Sequence, residues 1–149
     1  REIMIEIFKL TEELITFGKG YDSWETAIIE SSKPLLENGY VKQSYVDAMI
    51  SSVKEYGPYI VIAPNIAMPH ARPETGSRKV GFAVTLCEKP VAFGDTPELQ
   101  ARLLITLSCV NADTHLKMLQ ELVMVLADEE KFNQILNSKT KEEILSIFK

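Results

Sequence analysis

Few cysteines and no long apolar runs distinguish this sequence. Its 149 residues include two cysteines, Cys87 and Cys109, and both lie in apolar segments without CxxC or CxxH spacing. This pattern predicts small buried thiols in a reducing cytoplasm and offers no regular zinc-ligand spacing. Since no segment approaches the ~20 apolar residues that span a bilayer, and the N-terminus lacks a signal-peptide pattern, we expect a soluble cytoplasmic protein.

Excess positive charge is also lacking. The 16 lysines and arginines are outnumbered by 21 aspartates and glutamates, which gives a formal net charge of −5 without a basic patch. A nucleic-acid-binding protein needs clustered cations to displace counterions from phosphates, so the charge argues against this class. The chain is instead 46% hydrophobic, which is enough for one domain with its own core.

The first third of the sequence has helical spacing. Asp22 and Glu25 have the spacing of a capping box at the start of a helix. Apolar residues recur at helical intervals as far as Asn38, and Pro34 is a point where this helix can kink or split. A second amphipathic segment ends at Gly57. Two helices are therefore predicted before the first strand.

Four strand-like segments follow, at residues 59–63, 80–87, 91–93 and 103–109. Helical spacing returns at Thr114, around residues 130–136 and from Thr140 to the end. In the first of these helices we interpret an apolar stripe as core: Leu116, Leu119, Val123 and Leu126. Helices before and after a cluster of strands predict a single-domain α/β protein, a three-layer α/β/α sandwich with a mixed central sheet.

The segment 60–73 holds one of the two histidines in a stiff backbone. Pro69 fixes its own φ and keeps the residue before it extended, so the chain entering His70 has few alternatives. Pro73 restricts Arg72 in the same way. The first strand-like segment is apolar enough to be buried, which predicts an imidazole at the mouth of a sheet with a guanidinium nearby.

His70 has three interpretations. A structural histidine would have both ring nitrogens satisfied. A metal ligand would need partners, and His115, the cysteines and scattered carboxylates lack the spacing of a zinc site. A phosphoryl acceptor needs a free ring nitrogen, a neighbour that fixes the tautomer, and donors to the phosphoryl oxygens; neutral imidazole is a nucleophile near about pH 7, and arginine can hold a phosphoryl oxygen.

The sequence around His70 resembles a known family. Ile66-Ala67-Met68-Pro69-His70-Ala71 is similar to the phosphorylation-site signature of the mannitol/fructose-type enzyme IIA domains of the bacterial sugar phosphotransferase system. The similarity extends along nearly the whole chain, through these further matches: Trp24-x-x-Ala27-Ile28, Gly39-Tyr40-Val41, Tyr45-x-x-x-Met49, Gly57-Pro58, Pro90-Val91-x-Phe93 and His115-Leu116-x-x-Leu119. Pro-His-Ala-Arg-Pro-Glu at 69–74 and Phe93-Gly94-Asp95 are closest to the ascorbate-type branch.

The resemblance implies one enzyme IIA domain over residues 1–149, a phosphoryl carrier that needs no metal and no cofactor. It implies that the small carrier HPr phosphorylates His70 on its tele nitrogen, and that the group then passes to a cysteine of an enzyme IIB domain. Through a membrane enzyme IIC this transfer drives sugar uptake, and the branch resemblance points to L-ascorbate or a related sugar or pentitol. A homodimer is compatible with the sequence, which leaves the oligomeric state open.

Four further polar residues are candidates for the phosphate site. His115 is predicted in the first turn of a helix, whose positive end favours a neutral imidazole and attracts anions, and the resemblance implies a second active-site histidine there. Arg72 is a candidate phosphoryl clamp, Asn65 a supporting hydrogen-bond partner and Glu74 an orienting carboxylate. Mannitol-like relatives often carry an active-site arginine near residues 50–53, and this sequence has none there.

Other functions remain open at the level of sequence. The main alternative is a regulatory enzyme IIA-like module, in which phosphorylation of His70 controls a transcription regulator or a transporter. A metal-dependent hydrolase that uses both histidines is a third. Two carrier partners would have to use one face in turn, and Ile66, Met68 and Phe93 are candidate contacts, although core packing is the commoner use of such side chains.

Overall fold

The structure is a computed structural model that describes residues 10–148. Residues 1–9 and residue 149 of the expected domain lie outside the described residues. The strands are β1 (Ile15–Gly18), β2 (Val61–Ala63), β3 (Asn65–Ala67), β4 (Gly81–Ala92) and β5 (Gln100–Ser108). The α-helices are α1 (Trp24–Glu37), α2 (Gln43–Tyr56), α3 (Ala112–Leu126), α4 (Glu129–Leu136) and α5 (Lys141–Ile147). Within this range, no helix combines the length and apolar character needed to cross a membrane.

The five strands form one mixed sheet in the order β1-β4-β5-β3-β2. The two longest strands, β4 and β5, pair antiparallel in its middle. β1 runs parallel to β4, β3 runs parallel to β5, and β2 pairs antiparallel with β3. β3 ends three residues before His70, so this histidine closely follows a strand that is paired on both sides.

Both faces of the sheet are covered, which confirms the predicted three-layer α/β/α sandwich. On one face the Thr106 hydroxyl of β5 donates to the Ser31 hydroxyl of α1 at 3.3 Å. On the other, the ring centroids of Phe82 in β4 and Phe148, which follows α5, are 5.5 Å apart. Phe82 pairs with Leu107, the neighbour of Thr106, and successive strand residues point to opposite faces, so the two contacts lie on opposite sides.

The helix ends follow local capping chemistry, with one correction. Ser23 is the N-cap of α1, and its hydroxyl accepts a hydrogen bond from the Thr26 N–H at 3.1 Å. The predicted capping box of Asp22 and Glu25 is therefore wrong by one residue, since a short hydroxyl already satisfies the free N–H of the first turn. Pro34 does not split α1, which is continuous. The predicted end of α2 at Gly57 is confirmed.

The predicted core stripe of α3 is shifted. Met118 and Leu122 are completely buried, whereas Leu116 is 56% exposed and Val123 is 49% exposed. Leu126 is buried as predicted, and Leu119 packs against the core while partly exposed. Because apolar residues occur on most sides of this helix, spacing alone does not select the stripe that meets the sheet.

The strand before His70 also differs from the prediction. The segment 59–63 yields only the short strand β2, which lies at the sheet edge with Ile62 48% exposed. The chain then turns at Asn65, which has a φ of 72°, and returns as β3. Asparagine tolerates this left-handed conformation better than most residues, so the turn is compatible with its sequence. Thus β3, and not a buried strand at 59–63, leads to His70; β1 was also not predicted.

Candidate functional site

The segment after β3 is fixed to the sheet on both sides. The Met68 N–H donates to the Ile60 carbonyl at 2.7 Å, and the Leu107 N–H of β5 donates to the Pro69 carbonyl at 3.0 Å. Pro69 has no N–H of its own, so its carbonyl is the only backbone hydrogen-bonding group it offers. His70 therefore leaves the sheet from two residues that are already held in place.

Two tyrosine hydroxyls fix the next peptide groups. Tyr45 of α2 donates its hydroxyl hydrogen to the Leu107 carbonyl at 2.6 Å and accepts the Ala71 N–H at 3.2 Å. Tyr59 donates to the His70 carbonyl at 2.8 Å. Burial raises the pKa of Tyr45 to about 12, so its hydroxyl stays protonated and able to donate. The backbone is thus held at every residue from Met68 to Ala71.

The geometry of the His70 ring identifies its free nitrogen. Nδ1 lies 2.6 Å from the Met68 carbonyl oxygen. A carbonyl only accepts hydrogen bonds, so we assign the ring proton to Nδ1, which leaves the lone pair on Nε2. Burial lowers the pKa of His70; the Met68 hydrogen bond acts in the opposite direction and the nearby His115 adds to the lowering. The imidazole is therefore neutral at neutral pH, with Nε2 as a nucleophile.

Two other rings lie beside this imidazole. The Tyr59 ring meets the His70 ring edge to face, with centroids 5.4 Å apart and planes at 89°. The His115 ring lies with its centroid 5.4 Å from that of His70, at an angle of 44°. His115 belongs to the first turns of α3, as predicted, behind the N-cap Asn111, whose side chain accepts the Thr114 N–H. The structure therefore brings the two histidines together.

A pocket of about 830 Å³ opens over these rings. Its lining comes from the end of α2, the segment after β3 and the start of α3. Polar and aromatic side chains predominate: Ser52, Tyr56, Tyr59, His70, Arg72, Glu74, Ser77, Asn111 and His115. A pocket with a free imidazole nitrogen, hydroxyl groups and a guanidinium suits a small anionic group such as a phosphoryl group.

The predicted partners of His70 do not all reach this pocket. Arg72 and Glu74 line it with exposed side chains. Asn65 is paired with Ala101 at the far end of β3, whereas Pro69 is bonded to Leu107. Six residues of strand separate those two positions of β5, a distance of about 20 Å. Asn65 is therefore remote from the pocket and is not among the residues that line it.

Three pocket residues were missed or misjudged from sequence. Tyr59 was assigned to a buried strand, although its hydroxyl and ring both contact His70. Asn111 was not named as a candidate. Ser52 lies in the stretch where the absence of an arginine was noted, and it faces the pocket. The Gly57-Pro58 turn before Tyr59 was the available signal that this tyrosine leaves the regular strand pattern.

The apolar contacts expected on the docking face are wrong. Ile66, Met68 and Phe93 are at most 5% exposed and belong to the core. Core packing is the commoner use of such side chains, and it is their use in this structure. The exposed apolar side chains that line the pocket are instead contributed by Tyr56, Tyr59 and Val110.

The two cysteines lie apart from this chemistry. Both are free and buried, as predicted, and burial raises the pKa of each thiol to about 11. Cys87 and Cys109 are therefore protonated at neutral pH and weak as nucleophiles. Among residues 10–148, no three histidine, cysteine, aspartate or glutamate side chains are grouped to bind a metal ion.

Comparison with known proteins identifies the family. The family model described as "Phosphoenolpyruvate-dependent sugar phosphotransferase system, EIIA 2" matches residues 8–149. The chain belongs to this enzyme IIA family of the sugar phosphotransferase system, as its resemblance implied.

Two relatives from Escherichia coli strain K12 carry different sugar names. The mannitol-specific cryptic phosphotransferase enzyme IIA component is 39% identical over 124 residues, which are 83% of this chain and 84% of that protein. The ascorbate-specific PTS system EIIA component is 34% identical over 127 residues, which are 85% and 82% of the two chains. The family is thus established, whereas its members differ in sugar.

Solved structures agree with the fold. The solution structure of the mannitol-specific cryptic enzyme IIA from Escherichia coli has a TM-score of 0.86 and 35% identity, with 97% of each chain covered. The complex of the Escherichia coli mannitol enzyme IIA with phosphorylated enzyme IIB has a TM-score of 0.84 and 27% identity, with 95% of this chain and 97% of that chain covered.

Proposed function

We propose that this protein is a cytoplasmic phosphoryl carrier: phospho-HPr phosphorylates His70 at Nε2, and the group then passes to a cysteine of an enzyme IIB domain. The observation that carries the proposal is the hydrogen bond from Nδ1 of His70 to the Met68 carbonyl at 2.6 Å. This bond holds the proton on one nitrogen and leaves the other free to attack. Family membership supports the same role.

The first transfer is an in-line displacement at phosphorus. The Nε2 lone pair of His70 forms a bond to phosphorus while the bond between phosphorus and the donor nitrogen of HPr breaks. The proton of His70 stays on Nδ1. Because such a transition state is loose, catalysis depends on positioning and on charge stabilisation, and His115 and Arg72 are the groups suited to meet the phosphoryl oxygens.

The second transfer reverses this geometry. The thiolate of enzyme IIB attacks the phosphorus, the bond to Nε2 breaks, and His70 returns to its neutral form with a free lone pair. Both partners need access to the same nitrogen, which the open pocket permits. The exposed apolar side chains that line it, Tyr56 and Val110, suit contacts that form and dissociate in turn. A structurally similar enzyme IIA is described in complex with phosphorylated enzyme IIB, which supports enzyme IIB as a partner.

The partner proteins, and not this pocket, select the sugar, because an enzyme IIA protein transfers its phosphoryl group to another protein. The residues at 69–74 favour an ascorbate-type system, and a mannitol-specific relative has the higher identity. An ascorbate-type enzyme IIB is therefore the first acceptor to test, and a mannitol-type enzyme IIB the second.

The proposal is tested by intact mass spectrometry after incubation with phosphoenolpyruvate, enzyme I and HPr near neutral pH. The wild-type protein is expected to gain one acid-labile phosphoryl group, and His70→Gln none. His115→Gln is the matched control, because it changes the neighbouring ring and leaves Nε2 of His70 in place. A phosphoryl group that persists in folded His70→Gln, or its absence from folded wild-type protein, would overturn the proposal.

A further inference from the structure

Tyr59 is the pocket residue whose position the enzyme IIA chemistry does not yet explain. It makes two separate contacts with His70: its hydroxyl donates to the His70 carbonyl at 2.8 Å, and its ring meets the imidazole edge to face at 5.4 Å. With 40% of its surface exposed, it is no ordinary core residue. A tyrosine that touches both the backbone and the ring of one histidine can control how that histidine is presented.

The backbone around Tyr59 is itself constrained. Its N–H donates to the Gly57 carbonyl at 2.8 Å, in a turn that Gly57 allows with a φ of 88°. Pro58 fixes the next φ. The following residue, Ile60, is completely buried, and its carbonyl accepts the Met68 N–H. Tyr59 therefore projects from a short segment that is anchored on both sides.

The His70 ring needs such a neighbour. One hydrogen bond, from Nδ1 to the Met68 carbonyl, holds the imidazole, and rotation about the Cβ–Cγ bond would break it. A freed ring shares its proton between the two nitrogens, as any unrestrained neutral histidine does. Nδ1 would then be available as an acceptor in place of Nε2. The Tyr59 ring, with its centroid 5.4 Å from that of His70, limits this rotation.

We propose that Tyr59 is a positioning residue that keeps Nε2 of His70 aimed into the pocket, its hydroxyl fixing the His70 carbonyl and its ring blocking rotation of the imidazole. The inference rests on the proposed function of His70 as phosphoryl acceptor. It adds that the identity of the phosphorylated nitrogen is set by a residue that touches neither the phosphoryl donor's nitrogen nor the phosphorus.

Two variants separate the ring from the hydroxyl. Tyr59→Phe keeps the ring and loses the hydrogen bond, whereas Tyr59→Ala loses both. Ile62→Ala is the matched control, because Ile62 is a similarly exposed residue three positions further on and lies outside the pocket. Circular dichroism establishes that each variant is folded; Tyr59→Phe preserves the packing if Tyr59→Ala does not fold.

The first readout needs no phosphorylation. Nitrogen-15 NMR of the unphosphorylated protein reports the His70 tautomer, and we expect the Nδ1–H form in the wild type, in Ile62→Ala and in most Tyr59→Phe molecules. Tyr59→Ala is expected to give a mixture of the two tautomers. The second readout is the site of phosphorylation: Nε2 alone in the wild type, with a fraction at Nδ1 and a transfer rate lowered about tenfold in Tyr59→Ala.

The outcomes separate this inference from the proposed function. If the wild type takes up no phosphoryl group, the carrier role fails, and the tautomer measurement still decides whether Tyr59 orients the ring. If folded Tyr59→Ala keeps both the wild-type tautomer and the wild-type phosphorylated nitrogen, positioning by Tyr59 is overturned, whatever Tyr59→Phe shows. A slower transfer with both signatures unchanged overturns it too, and assigns Tyr59 to partner contact.

Discussion

The two histidines of the pocket differ in how they are supported. His70 lies in a segment in which every residue from Met68 to Ala71 has a backbone hydrogen bond to the sheet or to a tyrosine. His115 projects from α3, and within the described part of the chain its ring contact is with His70 alone. One imidazole is thus fixed in orientation, and the other is free to adjust.

This difference matches the demands of the two proposed roles. A nucleophile must meet the phosphorus in line, so a small error in its direction costs rate. A group that stabilises phosphoryl oxygens has to follow them as they move from donor to acceptor. The rigid histidine is therefore suited to form the bond, and the adjustable one to assist it. Substitutions at the supports of each histidine test this difference.

The largest effect is expected on the buried side of α3, which attaches His115 to the sheet. Leu122→Ala removes a completely buried side chain and is expected to lower the free energy of unfolding by about 2–5 kcal/mol. Val123→Ala, its exposed neighbour, should change it by less than about 0.5 kcal/mol. Denaturant unfolding measures both. Equal losses in the two variants would mean that the buried side of α3 is misassigned.

A smaller loss is expected at the support of His70. Tyr45→Phe leaves the Leu107 carbonyl and the Ala71 N–H without their hydroxyl partner, and should cost about 1–3 kcal/mol of unfolding free energy. The ring and its packing stay, so the effect isolates the hydroxyl. Denaturation midpoints at constant m-value provide the measurement. Wild-type stability in Tyr45→Phe would contradict the view that this hydroxyl holds the segment.

His115 itself should affect rate more than stability. His115→Ala removes the imidazole that we propose as a donor to the phosphoryl oxygens, and we expect phosphoryl transfer to His70 to slow by about tenfold or more. Rapid-quench measurement with phospho-HPr gives the rate. Lys117→Ala is the control, because Lys117 is an exposed residue of the same helix outside the pocket. A wild-type rate in His115→Ala would leave this ring without a part in the transfer.

The smallest effect is a pH dependence from His70. Its pKa in the folded state lies below that of an unfolded histidine, because burial disfavours the charged ring. Between the two pKa values the unfolded state binds more protons, so this contribution to stability declines as the pH falls below about 6.5 and is constant above it. We therefore expect the unfolding free energy of the wild type to fall relative to that of His70→Gln as the pH is lowered from about 8 to about 5. Parallel curves would contradict the lowered pKa.

Much of the fold and the central histidine could be predicted from sequence, because both depend on strong local patterns. Helical segments before and after a cluster of strand-like segments predicted the layered architecture, and the prolines around His70 predicted its stiff surroundings. The helix that carries His115 was also predicted, since its apolar spacing is a local feature.

What failed depends on contacts between distant segments. The buried side of α3 is set by where the helix meets the sheet, and apolar residues such as Leu116 and Met118 look alike in sequence. The position of Asn65 depends on the pairing of β3 with β5, which no local pattern specifies. Tyr59 was missed for the same reason, because its partner is eleven residues away and is reached only after a strand hairpin.

The hydrogen bonds of Leu107 determine how readily the segment around His70 can open. Its N–H holds Pro69 and its carbonyl holds Tyr45, and Leu107 itself is completely buried in a central strand. Opening the histidine segment therefore means disturbing the most protected part of the sheet. Hydrogen exchange at the Leu107 amide should require global unfolding, whereas amides in exposed loops exchange by local opening. A protein built in this way keeps the nitrogen that we propose as the phosphoryl acceptor in one place through every encounter, and leaves adaptation to its partners and to the side chains at the pocket rim.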